Sequence, residues 1–461
     1  MKIIKYIGGQ KMTIKKGFFA GALSLTLVAT SVFASSAGVG HAQSVEKKYI
    51  VVFKDEAKLP SGYEDLLKKA GGQVQHRLEK LGAVEVSSSN PNFLKEVKKS
   101  SIVSEAGTEN KVYAEAPSVE ATFSFEDAAS VKPDLYEQHQ WDIKQVTNNG
   151  ESWNLPGGTG KPVSGEEIVV AVIDTGIDYT HPDLKANYAY GKSFVPGYSD
   201  PKDENGHGTH VAGSIAAKGR TMGVGPDLKV ASYRVFGPTG EASTANIAEA
   251  LMTAADDNVD VVNMSLGGYD WYQDPEYATK DVVADVQMFN RAINYAIKKG
   301  VTVVGSAGNN GVDISSPGKL SGDDKGATHR SPSNQNMIRV SAGGQLKNLA
   351  YYSNYGVGKI DVMAPGGDLG PNYNPETKEG RDNSYLCLAT IPGGWGYKAG
   401  TSMAAPKVAA LAGVIIAQHG KDQLNPSQVK HIILKSAEDV FKPGNDEKSG
   451  QGLINAVSAL K

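Results

Sequence analysis

A single cysteine, Cys387, stands in a chain of 461 residues, so no disulfide can close within it and no thiolate zinc site can be built. Net charge is nearly absent as well. The 47 Lys and Arg face 50 Asp and Glu, a balance of −3 that offers no basic field to nucleic acid or to an anionic membrane surface. No internal repeat is present, and beyond residue 40 no hydrophobic run is expected to span a bilayer. Disorder, coiled-coil and multi-pass membrane classes are excluded for the chain as a whole. Glycine is what abounds, with 53 residues beside a 40% hydrophobic content, which describes a large globular protein rich in turns.

Lys11, Lys15 and Lys16 precede an uncharged stretch, 17–40, that carries Phe18, Phe19, Leu23, Leu25, Leu27, Val28 and Phe33. This is the pattern of a secretory signal. Both Val32-Phe33-Ala34 and Gly40-His41-Ala42 fit the small-x-small cleavage rule, with Ala42/Gln43 preferred over Ala34/Ser35, and Met12 is a candidate start. Residues 1–42 are therefore expected to be a signal peptide, and the mature product a secreted, extracellular, soluble monomer with no membrane attachment.

Residues 43–115 read as a separate small α+β module. A strand over 49–53, a helix over 63–70, two strands flanking Gly82, a helix over 93–99 and a strand over 111–114 give the order β-α-β-β-α-β, which predicts a ferredoxin-like split βαβ sandwich. Its Lys68, Lys69, Lys95, Lys98 and Lys99 read as solvated helix faces. Residues 116–133, acidic and poor in large aliphatics, are expected to form an exposed, cleavable linker. From 134 to 461, short apolar runs at 168–173, 230–235, 259–264 and 301–304 alternate with helical stretches at 245–256, 282–299, 403–418 and 426–436. That alternation predicts an α/β domain, a doubly wound and mostly parallel sheet with helices on both faces.

Three glycine-framed turns carry chemistry. Ile173-Asp174-Thr175-Gly176 puts an acid at the carboxyl edge of a buried parallel strand, where ligand and catalytic groups collect. Asn205-Gly206-His207-Gly208-Thr209-His210 puts a histidine at the mouth of a small-residue helix, and Gly400-Thr401-Ser402-Met403-Ala404-Ala405-Pro406 puts a serine in the first turn of another. Serine is a weak nucleophile until a base takes its proton, imidazole is that base near neutral pH, and a carboxylate fixes the imidazole's tautomer. The order Asp, His, Ser differs from that of chymotrypsin and of the α/β-hydrolases. A DTG motif alone also occurs in aspartic proteases, but no second DTG or DSG is present. His210 invites a metal-hydrolase reading with His207, yet no further ligand set accompanies the pair. His210 is expected to be a buried, hydrogen-bonded histidine, His181 and Asp183 to shape a turn, and Asp178 to support the Asp174 loop.

These motifs resemble the subtilisin family of serine proteases over essentially the whole chain, through the closing Gly450-Gln451-Gly452-Leu453-Ile454-Asn455-Ala456. The resemblance implies a subtilisin-like fold with Ser402 as nucleophile, His207 as general base and then acid, and Asp174 as orienting carboxylate. It makes Asn309, in Ser306-Ala307-Gly308-Asn309, the oxyanion donor beside the Ser402 backbone N–H. Ser265, Leu266, Gly267 and Gly268, with Ala307 and Gly308, would line the substrate cleft and pair with an extended peptide. The substrate is then a peptide or protein, no cofactor is required, and the 43–115 module acts as an intramolecular inhibitor and chaperone that makes the chain a zymogen. An inactive binding protein on the same scaffold is the rival from another class, and its signature, a lost triad or oxyanion residue, is absent.

Departures from the family pattern sharpen this. Only 218–222 separate Ala217 from Gly223, so the loop that binds calcium in many subtilisins is expected to be deleted, leaving Asp183, which matches one of its carboxylates, without partners for a cation; other acidic loops such as Asp323-Asp324 stay open as sites. The segments 269–281, with Tyr269, Trp271, Tyr272, Asp274 and Glu276, and 366–396 are expected to be surface loops near the cleft. Lys407 stands after Pro406 where many subtilases have His, and Pro-Lys-Val there is similar to lantibiotic leader peptidases; a broad degradative protease is the alternative. His329 and Arg330 are expected near the pocket floor, which would favour cleavage after Glu or, less readily, Asp, with Glu115, Glu120 and Glu126 as self-cleavage candidates.

Overall fold

The structure, a computed structural model, describes residues 45–114, 122–124, 134–266, 271–273, 282–315, 328–330 and 335–461. The expected signal peptide, Gly267, Gly268, Glu115, Glu120, Glu126 and Asp323-Asp324 lie outside them. Residues 44–461 form one compact unit.

Its N-terminal part runs β1 (Lys47–Phe53), α1 (Tyr63–Lys69), β2 (Gly72–Leu78), β3 (Ala83–Ser88), α2 (Phe93–Val97) and β4 (Val103–Thr108), and the antiparallel sheet has the order β2-β3-β1-β4. Glu64 and Asp65 in the first turn of α1 and Lys68 and Lys69 in its last complement the helix dipole. The apolar run of β1 is explained by burial on both faces. Tyr49, Val51 and Phe53 meet Leu67, Phe93 and Val97 of the two helices, whereas Ile50 and Val52 join the core of the large domain behind.

The strand order is that of the split βαβ sandwich, with one correction. The fourth strand is 103–108, not 111–114. Its Val-Ser-Glu-Ala-Gly-Thr text is weakly β-forming, and only Val103 and Ala106 point to the module's own core. The stronger strand former, β5 (Lys111–Tyr113), is partnered elsewhere: it pairs antiparallel with β10 (Glu241–Ser243) of the large domain. In the expected linker, β6 (Thr122–Ser124) pairs antiparallel with β18 (Gly394–Lys398).

The large domain continues with α3 (Asp134–His139), α4 (Trp141–Thr147), β7 (Val169–Asp174), β8 (Tyr188–Ser193), α5 (His207–Ala216) and β9 (Lys229–Arg234). After β10 come α6 (Thr244–Asp256), β11 (Val261–Met264), β12 (Trp271–Gln273), α7 (Val282–Lys298), β13 (Thr302–Ser306), β14 (Thr328–Arg330), β15 (Ile338–Gly343), β16 (Val362–Pro365) and β17 (Cys387–Ile391). β18, α8 (Thr401–His419), α9 (Pro426–Ser436) and α10 (Ala456–Leu460) close it. Seven strands lie in the order β16-β15-β13-β11-β7-β9-β8, every neighbouring pair parallel. Alternate side chains of β7 feed the two faces: Val170 and Val172 pack with α5 and α8, Ala171 and Ile173 with α6 and α7. α8 is apolar nearly all round and buried from Thr401 to Ala417, as a helix through the middle of a core must be. The chain winds from β7 to β9 on one side and later to β11 on the other, so the switch point of the sheet lies at the carboxyl end of β7, at Asp174.

A second correction concerns 366–396. Only its middle is exposed; Leu386 through Ala389 and Trp395 are fully buried, because β17 and β18 form a hairpin that packs on α5. Segment 269–281 is described only at β12, which pairs with β14.

Candidate active site

Asp174 ends β7, Ser306 ends β13, and Ser265 follows β11, so three parallel strands deliver their termini to one edge of the sheet. Asp174 is fully buried, and its Oδ1 and Oδ2 lie 2.8 and 3.0 Å from His207 Nδ1. The Thr175 N–H also donates to Oδ1, at 2.7 Å. With Nδ1 committed to the carboxylate, Nε2 is the ring nitrogen that a proton-transfer role would use. Two glycines make the approach feasible. Gly206, at φ 98, starts α5 in the left-handed region, and a Cβ on Gly208 would stand 2.2 Å from the Gly176 carbonyl and 3.1 Å from Asp174.

The start of α5 is organised by Asp203, whose importance the sequence reading missed. Its carboxylate accepts from Thr175 Oγ1, the N–H groups of Asn205, Gly206 and Thr209, and Thr209 Oγ1, at 2.6–3.0 Å. A negative group at a helix N-terminus satisfies donors the helix cannot. Asp178 supports the loop as expected: its N–H donates to Thr209 Oγ1 and its side chain accepts from Thr180. Packing and turn readings also hold for the remaining polar groups. His210 bonds the carbonyls of Cys387 and Gly396, and burial holds its pKa well below the ordinary value. Cys387 is buried, which pushes its thiol pKa well up.

Ser402 is the second residue of α8, one turn before Pro406. Proline has no N–H, so the Ser402 carbonyl lacks the intrahelical donor that residue 406 would supply. Ser265 supplies it instead. Its hydroxyl donates to the Ser402 carbonyl at 2.8 Å, and Ser402 Oγ donates to the Ser265 carbonyl at 3.2 Å. Asn263 Nδ2 donates to Ser265 Oγ and fixes it in turn. Next to them, Asn309 Oδ1 accepts from both the N–H and the hydroxyl of Thr401 at 2.8 Å, which turns its NH₂ the other way. Thr401 Oγ1 also accepts from the Gly308 N–H, and Ser306 Oγ donates to the Leu266 carbonyl. The structure thus links Ser265 to Ser402 directly, Asn309 and Gly308 to the start of α8 through Thr401, Leu266 to Ser306, and Asp174 of β7 to His207 at the start of α5, which packs on α8. Ala307 is buried behind them. For His329 and Arg330 the described fact is main-chain pairing, with Tyr272 and Trp271.

The residues matched to a calcium loop do not fit a cation. Asp183 is buried, and its carboxylate faces donors on every side: the N–H groups of Arg220 and Thr221, Thr221 Oγ1 and Trp395 Nε1, at 2.8–3.1 Å. A hard cation needs six or more oxygen ligands, whereas these are hydrogens. The Arg220 guanidinium covers the site, 5.0 Å above the Trp395 ring and bidentate to Asp134. Among the described residues no group of three or more His, Cys, Asp or Glu could hold a metal ion. Lys407 is fully buried, with Nζ 2.8 Å from Asp142 Oδ2 and donating to the Met403 carbonyl. Burial opposes its charge most strongly, but Asp142 and Cys387 together outweigh it and leave the pKa above the ordinary value.

Comparison with known proteins agrees with this geometry. The model of the subtilase family matches residues 165–452. Subtilisin amylosacchariticus of Bacillus subtilis subsp. amylosacchariticus is 31% identical over 98% of this chain and 100% of its own length. The epidermin leader peptide-processing serine protease of Staphylococcus epidermidis is 28% identical over 92% of this chain and 95% of its own. A crystal structure of the epidermin leader peptide processing serine protease from Staphylococcus aureus superposes with a TM-score of 0.73 at 26% identity, covering 90% of this chain and 98% of that one. A parallel seven-stranded sheet, with the family model matched over 165–452, means that the chain belongs to the subtilase family and is a subtilisin-like serine endopeptidase.

Proposed function

We propose that the chain is a secreted zymogen that hydrolyses peptide bonds through Asp174, His207 and Ser402, and that it matures leader-bearing peptides by cutting after an acidic residue. The observation that carries the catalytic reading is the buried Asp174–His207 hydrogen bond at the carboxyl edge of the sheet, beside a serine whose flanking groups are each fixed. Ser402 Oγ attacks the carbonyl carbon while His207 Nε2 takes its proton. The oxyanion that forms is held by Asn309 Nδ2 and the Ser402 N–H. His207 then protonates the departing amine, and water, activated by the same ring, hydrolyses the acyl-enzyme.

Main-chain pairing supports the zymogen reading. β5 lies on β10, the Ala114 N–H donates to the Gly240 carbonyl at 2.8 Å, and the chain is next described at β6, paired with β18 just before the Ser402 helix. The two anchored strands bracket a bond between 114 and 122, which favours Glu115 and Glu120 over Glu126. Residues 43–115 would then be the inhibitor and 134–461 the enzyme. The leader-peptidase reading is supported by the epidermin-processing relatives and by Lys407. A broad degradative protease is the second reading, supported by the whole-length match to a subtilisin.

Mass-spectrometric mapping of every bond cut in the chain itself and in a diverse peptide library, beside a Ser402→Ala control, tests the proposal. Cuts after Glu within 114–122 that vanish in the control are expected. An intact wild-type chain overturns the zymogen reading, and cuts after large apolar residues overturn the acidic preference.

A further inference from the structure

The contact between the N-terminal module and α6 and α7 has an apolar centre, in which Ile50, Val52, Leu78, Leu81 and Ala83 pack with Met288, Phe289 and Ala292. Ion pairs lie around it: His76 with Glu249 at 2.9 Å and Lys80 with Asp256 at 2.6 Å, all partly exposed and individually weak. Within the apolar centre sits one cation, Arg291 of α7, only 8% exposed. Its Nη2 donates to the Phe53 carbonyl at 2.7 Å, and its Nη1 to the carbonyls of Leu81 at 2.9 Å, Gly82 at 3.3 Å and Asp55 at 3.4 Å. The nearest carboxylate, Glu56, is 3.9 Å away and largely exposed. A buried charge of the enzyme is therefore met almost wholly by main-chain carbonyls at two turns of the module.

We propose that Arg291 is the anchor by which the catalytic domain holds its own N-terminal module after the linker is cut, a guanidinium fork read by a cage of four main-chain carbonyls. The inference rests on the zymogen reading above. Burial lowers the Arg291 pKa, the mark of a desolvated cation that only good hydrogen bonds offset. Five N–H donors in a fixed plane suit several carbonyls at once, which an ammonium does not. The cage is also shaped for the fork. Gly82 adopts φ +54, and a Cβ there would strike the Asp55 carbonyl at 1.8 Å and approach Arg291 Nη1 at 3.2 Å. A module lacking these turns would bury the guanidinium without partners, so the same residue that holds the right partner rejects a wrong one. Arg291 lies on the face of α7 that packs on the module and makes no contact with the triad. Once the module leaves, solvent takes over its donors.

The test uses the full chain, wild type against Arg291→Ala and Arg291→Lys. Linker cleavage, retention of the cut module by size exclusion, and kcat/KM after its removal are read separately. Arg291→Ala is expected to cut the linker at the same bond and to match wild-type kcat/KM once freed, but to hold the cut module about 10²-fold more weakly, with Arg291→Lys in between. Equal retention by Arg291→Ala and wild type overturns the anchor. Absence of cleavage or of inhibition in the wild type instead refutes the zymogen reading. Should Arg291→Ala fail to mature, the uncut Ser402→Ala precursor is compared with and without Arg291→Ala by hydrogen exchange: faster exchange at 53–55 and 81–83 alone is expected, and unchanged exchange there overturns the proposal.

Discussion

Raising the pH should loosen the hold of the N-terminal module, and Glu109 carries most of the effect. It sits just before β5, and its Oε1 accepts from the Ala245 N–H at the start of α6. Burial, then the charge of Glu85, push its carboxyl up to about 7. Across the contact Asp285, buried and bonded to Asn110 and Thr244, is pushed to about 7 by burial and by Glu109. The other charged groups facing them are Lys48, ion-paired to Glu85, and Lys111, ion-paired to Glu241. A carboxyl with a raised pKa favours the docked form fully below its ordinary pKa, and that stability is lost as the pH climbs to the docked value. For Glu109 the window runs from the ordinary 4.5 to about 7. At about 1.4 kcal/mol per unit this is roughly 3 kcal/mol, or about 10²-fold in affinity, and Asp285 adds less than a second full share because the two titrate together. His76 acts in the same direction. Its hydrogen bond to Glu249 raises its pKa, so its contribution is present at acid pH and fades as the ring loses its proton. The cut complex should be equilibrated from about pH 5 to about pH 8 and the retained module measured by size exclusion, a readout that does not pass through activity. Wild type should lose the module progressively, and Glu109→Gln should flatten the curve by about one proton. Tighter retention at higher pH, or an unchanged slope in Glu109→Gln, refutes the reasoning.

Removing the Ser265 hydroxyl in Ser265→Ala leaves the Ser402 carbonyl without a donor, because Pro406 has none; stability measured by urea unfolding should fall by about 1–3 kcal/mol and kcat should fall with it, while a neutral result refutes that role. Asn309→Ala should lower kcat by about 10²–10³ with KM little changed, the loss known for the corresponding donor of a subtilisin; a KM effect alone would mean that the amide binds substrate but not the oxyanion. Lys407→Met strands the buried Asp142 carboxylate and should cost about 3–5 kcal/mol in thermal or urea unfolding, whereas Lys407→Met with Asp142→Leu should recover most of it; equal losses in both would show that the charge is not the cause. Adding a calcium chelator should leave Tm unchanged through the Asp183 region, while Asp183→Ala, which orphans four donors, should lower it; a chelator-induced drop abolished by Asp183→Ala would overturn the donor-filled reading.

The turns proposed to carry catalysis were legible because each places glycine beside a reactive side chain, and the parallel strands because burial on both faces leaves uninterrupted apolar text such as 169–173. Partners were not legible. Lys-Val-Tyr at 111–113 reads as a strand, and no local rule says that it pairs with Glu241–Ser243 across the molecule rather than in its own module. Asp203 was passed over although it stands four residues before His207, the position from which a carboxylate can cap the helix that histidine begins. The role of Ser265 was half readable: Pro406 four residues after Ser402 announces an orphaned carbonyl, but which hydroxyl meets it depends on how β11 ends. Arg291 lies among Met288, Phe289, Ala292 and Ile293, an arginine inside an apolar stripe, and a cation placed there asks for a partner the sequence does not name.

The unequal attachment of the two chain segments flanking 114–122 bears on what happens after cleavage. On the upstream side the chain is held by β5, by the apolar contact of β1 with α6 and α7, and by the Arg291 fork. On the downstream side, the described attachment between 115 and 133 is the three-residue β6 on one edge of β18. Cutting the bond makes only the module's attachment intermolecular, since β6 stays covalently joined to the large domain. On the proposed zymogen reading, the extensive contact at β5, β1 and Arg291 would let the module outlast the cut as a bound inhibitor, and its departure, not the cut, would limit activation. A consequence follows for kinetics: in the wild type, appearance of the cut linker should precede appearance of activity, and the delay should shrink in Arg291→Ala and as the pH is raised. Simultaneous appearance of both in all three conditions would mean that the cut alone releases the cleft.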